Sequence, residues 1–387
     1  MADGKQKALN HAWWASCGAM FASAFLLATW IVRIPDVATS LTLDDGQVGT
    51  AIFGLAIGAF AAFAAASRIL EHRDSRLLIL IFGLINAVGL ALLALSWSFT
   101  SLFLLLMLFG FGHGGLNVAM NALAIEVDAG FERYWMGVFQ GCFSLGGLTG
   151  AICGSLIIWL EIPFHTQFVV TALCAPIPFV LIYKFAIPDV RDDRAAAEPR
   201  PILALPPKAI LGLGIIALCS SVGEGAMADW SGLYREQELH VTDASTAFGY
   251  AAFSLFMLVG RFSSAQILQY VAPETLVRSA GLVAAIGLAV GLIINDSVSV
   301  IVGFGLVGLG LSVMIPIAYS AITNHPEIPR GRAIASVVTL GYSGVVFGPP
   351  ILGWLAELTS LRLALFVVVG TSLAIALMAP NVAARRS

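Results

Sequence analysis

About twelve segments of this chain are apolar over some twenty consecutive residues, and that recurrence restricts the folds available to it. A helix needs roughly 20 apolar residues to cross the hydrocarbon core of a bilayer. The segments run approximately over 12–32, 47–67, 77–96, 101–123, 135–159, 165–187, 207–230, 246–268, 275–294, 297–322, 332–355 and 362–381. Helix is the expected conformation in each, because lipid offers backbone polar groups no partner outside the segment. Only 11% of the 387 residues are charged, against 59% hydrophobic. A water-soluble chain could not hide so much apolar surface. The expectation is an all-α membrane protein of twelve transmembrane helices in two six-helix halves. The lipid bilayer is its first partner.

Charge sets the orientation, since loops rich in lysine and arginine stay cytoplasmic. With a cytoplasmic N-terminus and alternating loops, only Arg33, Arg235 and Arg362 of the 20 lysines and arginines fall on the outer side. Both termini are then cytoplasmic, as expected in a bacterial inner (plasma) membrane. Lys5 and Lys7 precede an apolar run too long for a signal peptide, so the first segment reads as a span. Residues 188–207, PDVRDDRAAAEPRPILALPP, are too charged and proline-rich to cross a bilayer. They form an expected cytoplasmic linker between an N-terminal half, 1–187, and a C-terminal half, 208–387.

The halves look like a parallel repeat. GFGHGGLNVAMNALA from Gly110 pairs with GFGLVGLGLSVMIPIAYSA from Gly303 at an offset of 193. FSLGGLTGAICG around Gly146 pairs with TLGYSGVVFGPPILG around Gly341 at an offset of 195. Parallel six-helix repeats are a known transporter architecture.

Several chemistries are excluded or unsupported. A net charge of −3 carries no basic excess for nucleic acid. No phosphate-binding G-x-x-x-x-G-K loop and no His-Glu-x-x-His zinc pattern occur, and no nucleophile–base pair is visible, so neither an enzyme nor a cofactor is expected. The five cysteines lie in apolar segments without metal-ligand spacing and read as buried thiols.

Polar residues inside the spans are the pointers to function. His113, Asn117 and Asn121 recur every four residues and share one helix face, with Gln140 and Ser144 spaced likewise on the next helix. Such a face either lines an aqueous cavity or bonds neighbouring helices. Uncharged donors and acceptors suit a hydroxylated or amide-bearing solute. Tyr319 and Tyr342 are further candidates to contact it. Glu224, between Gly223 and Gly225, is the candidate proton carrier, because a carboxylate in a dry site holds its proton and releases it when wetted. Trp30, Arg33 and Asp36 stand where the first span leaves the membrane and form a candidate gate or anchor. The Gly110, Gly112, Gly114 and Gly146, Gly150, Gly154 series allow close helix approach. Pro316 and the Pro349–Pro350 pair can kink the tenth and eleventh spans.

The loop SRILEHRDSR, residues 67–76, resembles in degenerate form the G-x-x-x-D-R-x-G-[RS]-R signature of the major facilitator superfamily. Ser67, Glu71, His72 and Asp74 replace its Gly, Asp, Arg and second Gly, and Ser75–Arg76 match. Gly260–Arg261 stands at the corresponding place in the second half. LNVAMNALAIEVD (116–128), FSLGGLTGAICG (143–154) and GEGAMADWSGLY (223–234) resemble the bacterial YbjJ-like, rhizopine-transporter-like branch, distantly similar to fucose permeases. The resemblance implies the twelve-helix facilitator fold, with helices 1, 4, 7 and 10 lining the cavity and Glu71, Arg76 and Arg261 in gating positions beside Arg33 and Asp36. It implies a secondary active transporter of a small polar, sugar- or cyclitol-like solute. Such a carrier works by alternating access, driven by the proton gradient and acting as a monomer. The acidic coupling residues of fucose permeases on helices 1 and 4 have no counterpart here. A multidrug or metabolite exporter, and a substrate-sensing receptor on a transporter scaffold, are the alternatives.

Topology is testable directly. Reporter fusions at Ser387 and within 188–207 are expected to give cytoplasmic signals, and a periplasmic signal at either position contradicts the charge-based orientation.

Overall fold

The computed structural model describes residues 2–70, 72–130, 135–185, 206–322, 328 and 330–383. Among these, helix dominates and no strand occurs. The helices are α1 (Ala2–Ile31), α2 (Ile34–Ser40), α3 (Asp45–Leu70), α4 (Ser75–Leu93), α5 (Phe99–Gly130), α6 (Met136–Trp159), α7 (Phe164–Cys174) and α8 (Pro176–Phe185). They continue with α9 (Leu211–Gln237), α10 (Phe248–Ile267), α11 (Pro273–Ile294), α12 (Ser297–Leu311), α13 (Met314–Ala321), α14 (Arg330–Leu358), α15 (Leu361–Ala364) and α16 (Phe366–Met378).

Neighbouring pieces join into spans. By length and hydropathy, 11 segments among the described residues can cross a bilayer, α1–α2, α7–α8, α12–α13 and α15–α16 each counting as one. The twelfth is α10, 20 residues long, whose hydropathy is lowered by Arg261. Proline chemistry accounts for three of the interruptions. Pro35 opens α2, Pro176 opens α8, and Pro316 has no N–H for the carbonyl of Ser312, where α12 gives way to α13. The helix α14 continues through Pro349 and Pro350.

The chain divides into two compact units, Met1–Leu43 with Ala51–Ala197, and Asp44–Thr50 with Glu198–Ser387. In the first, α1 packs along α6 and α4 along α5. In the second, α9 packs along α14 and α11 along α12. The same pairings, first span on fifth and third on fourth, thus occur within each unit. The expected linker 188–207 lies outside the described residues except for Pro206 and Pro207.

Glycine makes these pairings close. A Cβ on Gly110 would stand 2.0 Å from the Leu55 carbonyl oxygen, and one on Gly114 2.5 Å from the backbone of Ala59, so α5 lies directly on α3. Gly112 and Gly115 face α4 at Asn86 and Phe82. The second unit repeats the device, with Gly308 against the Phe253 carbonyl and Gly344 against that of Leu218. Membrane helices have no hydrophobic drive toward one another, so backbone proximity and dispersion have to hold them.

The turns are tight. Thr42, Glu161, His240 and Asn295 adopt positive φ, each in a connection between spans. Asn295 ends α11, and Asp296 caps α12 with a reciprocal bond to Ser299. The backbone and hydroxyl of Ser299 hold the Asp296 carboxyl below the usual carboxylate range. At these close approaches no side chain fits: Gly110→Ala is expected to destabilise the protein by about 1–3 kcal/mol, the cost of overpacking. Thermal unfolding in detergent checks this, and an unchanged midpoint contradicts the close α3–α5 contact.

Candidate substrate and coupling site

The first unit assembles an amide ladder. Gln140 of α6 donates through Nε2 to Oδ1 of Asn121 on α5 at 3.2 Å. Asn121 donates in turn to Oδ1 of Asn117 at 3.2 Å and to its carbonyl at 2.8 Å. One and two turns further along the same face, His113 meets Ser23 of α1, with Nδ1 3.5 Å from Oγ. All four expected residues of this unit are half-buried. On one face of α5 they offer donors and acceptors without a fixed charge. Ser23, fully buried on α1, was not singled out by the sequence, since a lone serine in an apolar run carries no pattern.

The second unit gathers the ionisable residues. Glu224 lies at the middle of α9, its Oε2 3.6 Å from Nη2 of Arg261 on α10. Ser220, one turn earlier, donates to its Oε1 at 3.1 Å. The Glu224 side chain remains 30% exposed. Tyr319 of α13 is within electrostatic reach of Glu224, and Tyr342 of α14 of Tyr319. Tyr250, on α10, is within reach of Glu224, Asp229 and Arg261. Three turns separate Tyr250 from Arg261, and that spacing is the signal that would have found it.

Arg261 lies six residues from the end of α10, within the expected span 246–268, and is directed to Glu224. A guanidinium inside a span needs an anionic partner, and Glu224 supplies one.

The remaining gating candidates are anchors in their geometry. Arg33, 4% exposed, donates to Asp36 at 2.5 Å, to Gln167 at 2.6 Å and to the Ile162 carbonyl at 2.7 Å, tying the α1–α2 corner to the α6–α7 connection. Arg362 donates to the carbonyls of Leu292 and Ile293 at the end of α11, and Arg235 to Ser297 and Ser245. The three basic residues expected outside therefore all tie connections between spans, and Arg362 does so on helix-end carbonyls, where a cation is favoured. Arg76 pairs with Asp74, which caps α4, and lies over the Tyr183 ring at 5.8 Å. That capping role accounts for an aspartate where the signature has glycine. Glu71 lies outside the described residues. Among those described, no group of three metal-ligating side chains forms.

Twelve apolar helices in repeated pairings, with polar side chains facing inward, define a polytopic membrane carrier. The sequence model of the Major Facilitator Superfamily matches residues 15–328, and the chain belongs to that family. It is a transporter rather than an enzyme. An uncharacterised MFS-type transporter of Yersinia pestis is 29% identical over 348 residues, covering 89% of each chain. The uncharacterised transporter y4wD of Sinorhizobium fredii is 28% identical over 369 residues, covering 95% of this chain and 97% of its own. Membrane protein MosC of Rhizobium meliloti is 28% identical over 359 residues, covering 92% and 86%. Among solved structures, the nucleoside transporter NupG superposes with a TM-score of 0.72 at 12% identity, over 96% of this chain and 99% of that one. A bacterial homologue of the human lysosomal transporter Spinster gives 0.71 at 14% identity, over 97% and 96%. At such identity these two establish the fold alone.

Arg33→Met removes three charge-assisted bonds while keeping the length of the side chain. It is expected to lower stability by about 2–4 kcal/mol. A thermal midpoint equal to that of the parent protein contradicts the anchoring role.

Proposed function

We propose that this transporter carries a small polar organic solute, sugar- or cyclitol-like, across the bacterial inner membrane by alternating access, as a proton-coupled symporter. The observation that carries the substrate class is the uncharged ladder Gln140–Asn121–Asn117, with His113 on the same face. Amides present both donors and acceptors, matching hydroxyl groups that do both. Tyr319 and Tyr342 add hydroxyls and ring faces suited to the apolar side of a sugar-like ring. In this reading the protein works as a monomer with both termini cytoplasmic. Residues 1–187 and 208–387 act as its two moving halves, and Arg33, Asp36, Glu71, Arg76 and Arg261 govern their opening.

Glu224 is the proposed coupling group. Two cationic species can neutralise it, Arg261 at 3.6 Å or a proton. Where water reaches the carboxylate, the ion pair holds. Where Arg261 is drawn away, a proton takes its place, because an unpaired charge in a dry site is costly. A group whose proton affinity differs between two conformations ties proton movement to the change between them. The distance of 3.6 Å, beyond close hydrogen bonding, suits a contact that has to be broken in each cycle.

The variant Glu224→Gln keeps the size and removes the titration. In proteoliposomes it is expected to exchange labelled solute across the membrane but to lose accumulation under a pH gradient. Accumulation equal to that of the parent protein removes Glu224 from coupling. Loss of exchange as well assigns it to substrate binding or to structure.

A further inference from the structure

The contact between α1 and α6 has a continuous parallel register. Trp13 meets Trp135 with ring centroids 5.4 Å apart, and Phe139 at 6.1 Å. Further along, a Cβ on Gly146 would stand 2.2 Å from the Phe21 carbonyl oxygen, one on Gly150 2.7 Å from the Ala28 methyl, and one on Gly154 2.4 Å from a Val32 methyl. Both helices thus advance in the same direction along the contact. Cys142 lies four residues before Gly146, and Cys17 four residues before Phe21. The register sets the two thiols on facing sides of the contact, one turn before the close approach at Gly146. The two side chains lie within interaction distance of one another. Both are free thiols, Cys17 buried and Cys142 half-buried. Cys153, Cys174 and Cys219 have no such arrangement among the described residues.

We propose that Cys17 and Cys142 form a redox-responsive pair that a peroxide converts to a disulfide joining α1 to α6. A disulfide needs Cα atoms about 4.4–6.8 Å apart, and helix axes about 8–10 Å apart bring facing Cα atoms, each about 2.3 Å from its axis, into that range. The chemistry balances without a cofactor. The Cys142 sulfur, the more accessible of the two, attacks one peroxide oxygen. The O–O bond breaks, and the departing hydroxide takes the thiol proton and leaves as water. The Cys17 sulfur then attacks the resulting sulfenic acid, the S–O bond breaks, and a second water carries away the Cys17 proton. Two thiols lose two electrons, and the peroxide gains them. The product fixes the spacing between Ser23 on α1 and Gln140 on α6, two of the helices that carry the polar ladder.

The test uses the full chain in proteoliposomes, treated with hydrogen peroxide. Remaining thiols are then alkylated and the peptides mapped by mass spectrometry. The expected result is parallel loss of the Cys17 and Cys142 thiols, a linked peptide lighter by two hydrogens, reversal by dithiothreitol, and retention of the Cys219 thiol. Recovery of Cys17 and Cys142 as free thiols, or as separately oxidised side chains, overturns the proposal. A Cys153→Ser, Cys174→Ser, Cys219→Ser variant keeps only the pair. For it the expectation is a higher thermal midpoint after peroxide than after dithiothreitol. An equal midpoint, with no linked peptide, overturns the proposal independently of any single-cysteine variant that fails to fold.

Discussion

In hydrocarbon, an unpaired backbone amide or carbonyl costs several kcal/mol, and every other feature of this protein is arranged around that fact. It makes each apolar segment a helix and leaves the span ends as the places where backbone groups still need partners. The chain meets that need with a small set of devices. Asp74, Asp243 and Asp296 cap helix starts with their carboxylates. Arg362 donates to carbonyls at the end of α11, and Arg33 to the Ile162 carbonyl in the α6–α7 connection. The few basic residues expected outside are consumed in this work. Once the backbones are satisfied internally, helices can lie on one another without a side chain between them, and the glycine contacts of α3 with α5 and of α1 with α6 follow.

The same cost governs charge. Within the spans, Glu224 and Arg261 are the clearest opposed pair, and each answers the desolvation of the other. Burial of such a pair is poor value as a source of stability, since apolar side chains of similar volume would serve as well or better. Its presence is better explained by use than by folding. The first unit, by contrast, keeps its interior face to amides, imidazole and hydroxyl. In the proposed reading, recognition by the amide ladder is separate from the Glu224–Arg261 pair. That division is the physical basis for assigning solute contact to one set of residues and coupling to the other.

Much of this was legible in the sequence because it depends on spacing along one helix. The spans, the glycine series and the four-residue recurrence of His113, Asn117 and Asn121 are all local patterns. What needs two helices was not legible. The pairing of Arg261 with Glu224 depends on α10 packing against α9, which no spacing along either helix shows. Gln167 as the partner of Arg33 is 134 residues away in the chain, and no spacing rule reaches that far. Pro316 coincides with a break, whereas α14 continues through Pro349 and Pro350. A proline removes a bond, but whether the helix opens there depends on what the neighbouring helices and side chains supply.

The central claim is that the amide face of α5 and α6 lines an aqueous cavity rather than a dry helix contact. Single cysteines at positions 117 and 140, in a chain whose native cysteines are serine, test it with a charged, membrane-impermeant thiol reagent. Leu104 is the control, 58% exposed and on the opposite face of α5 from His113. The account predicts labelling at 117 and 140 and none at 104. Labelling at 104 with protection at both 117 and 140 would contradict it.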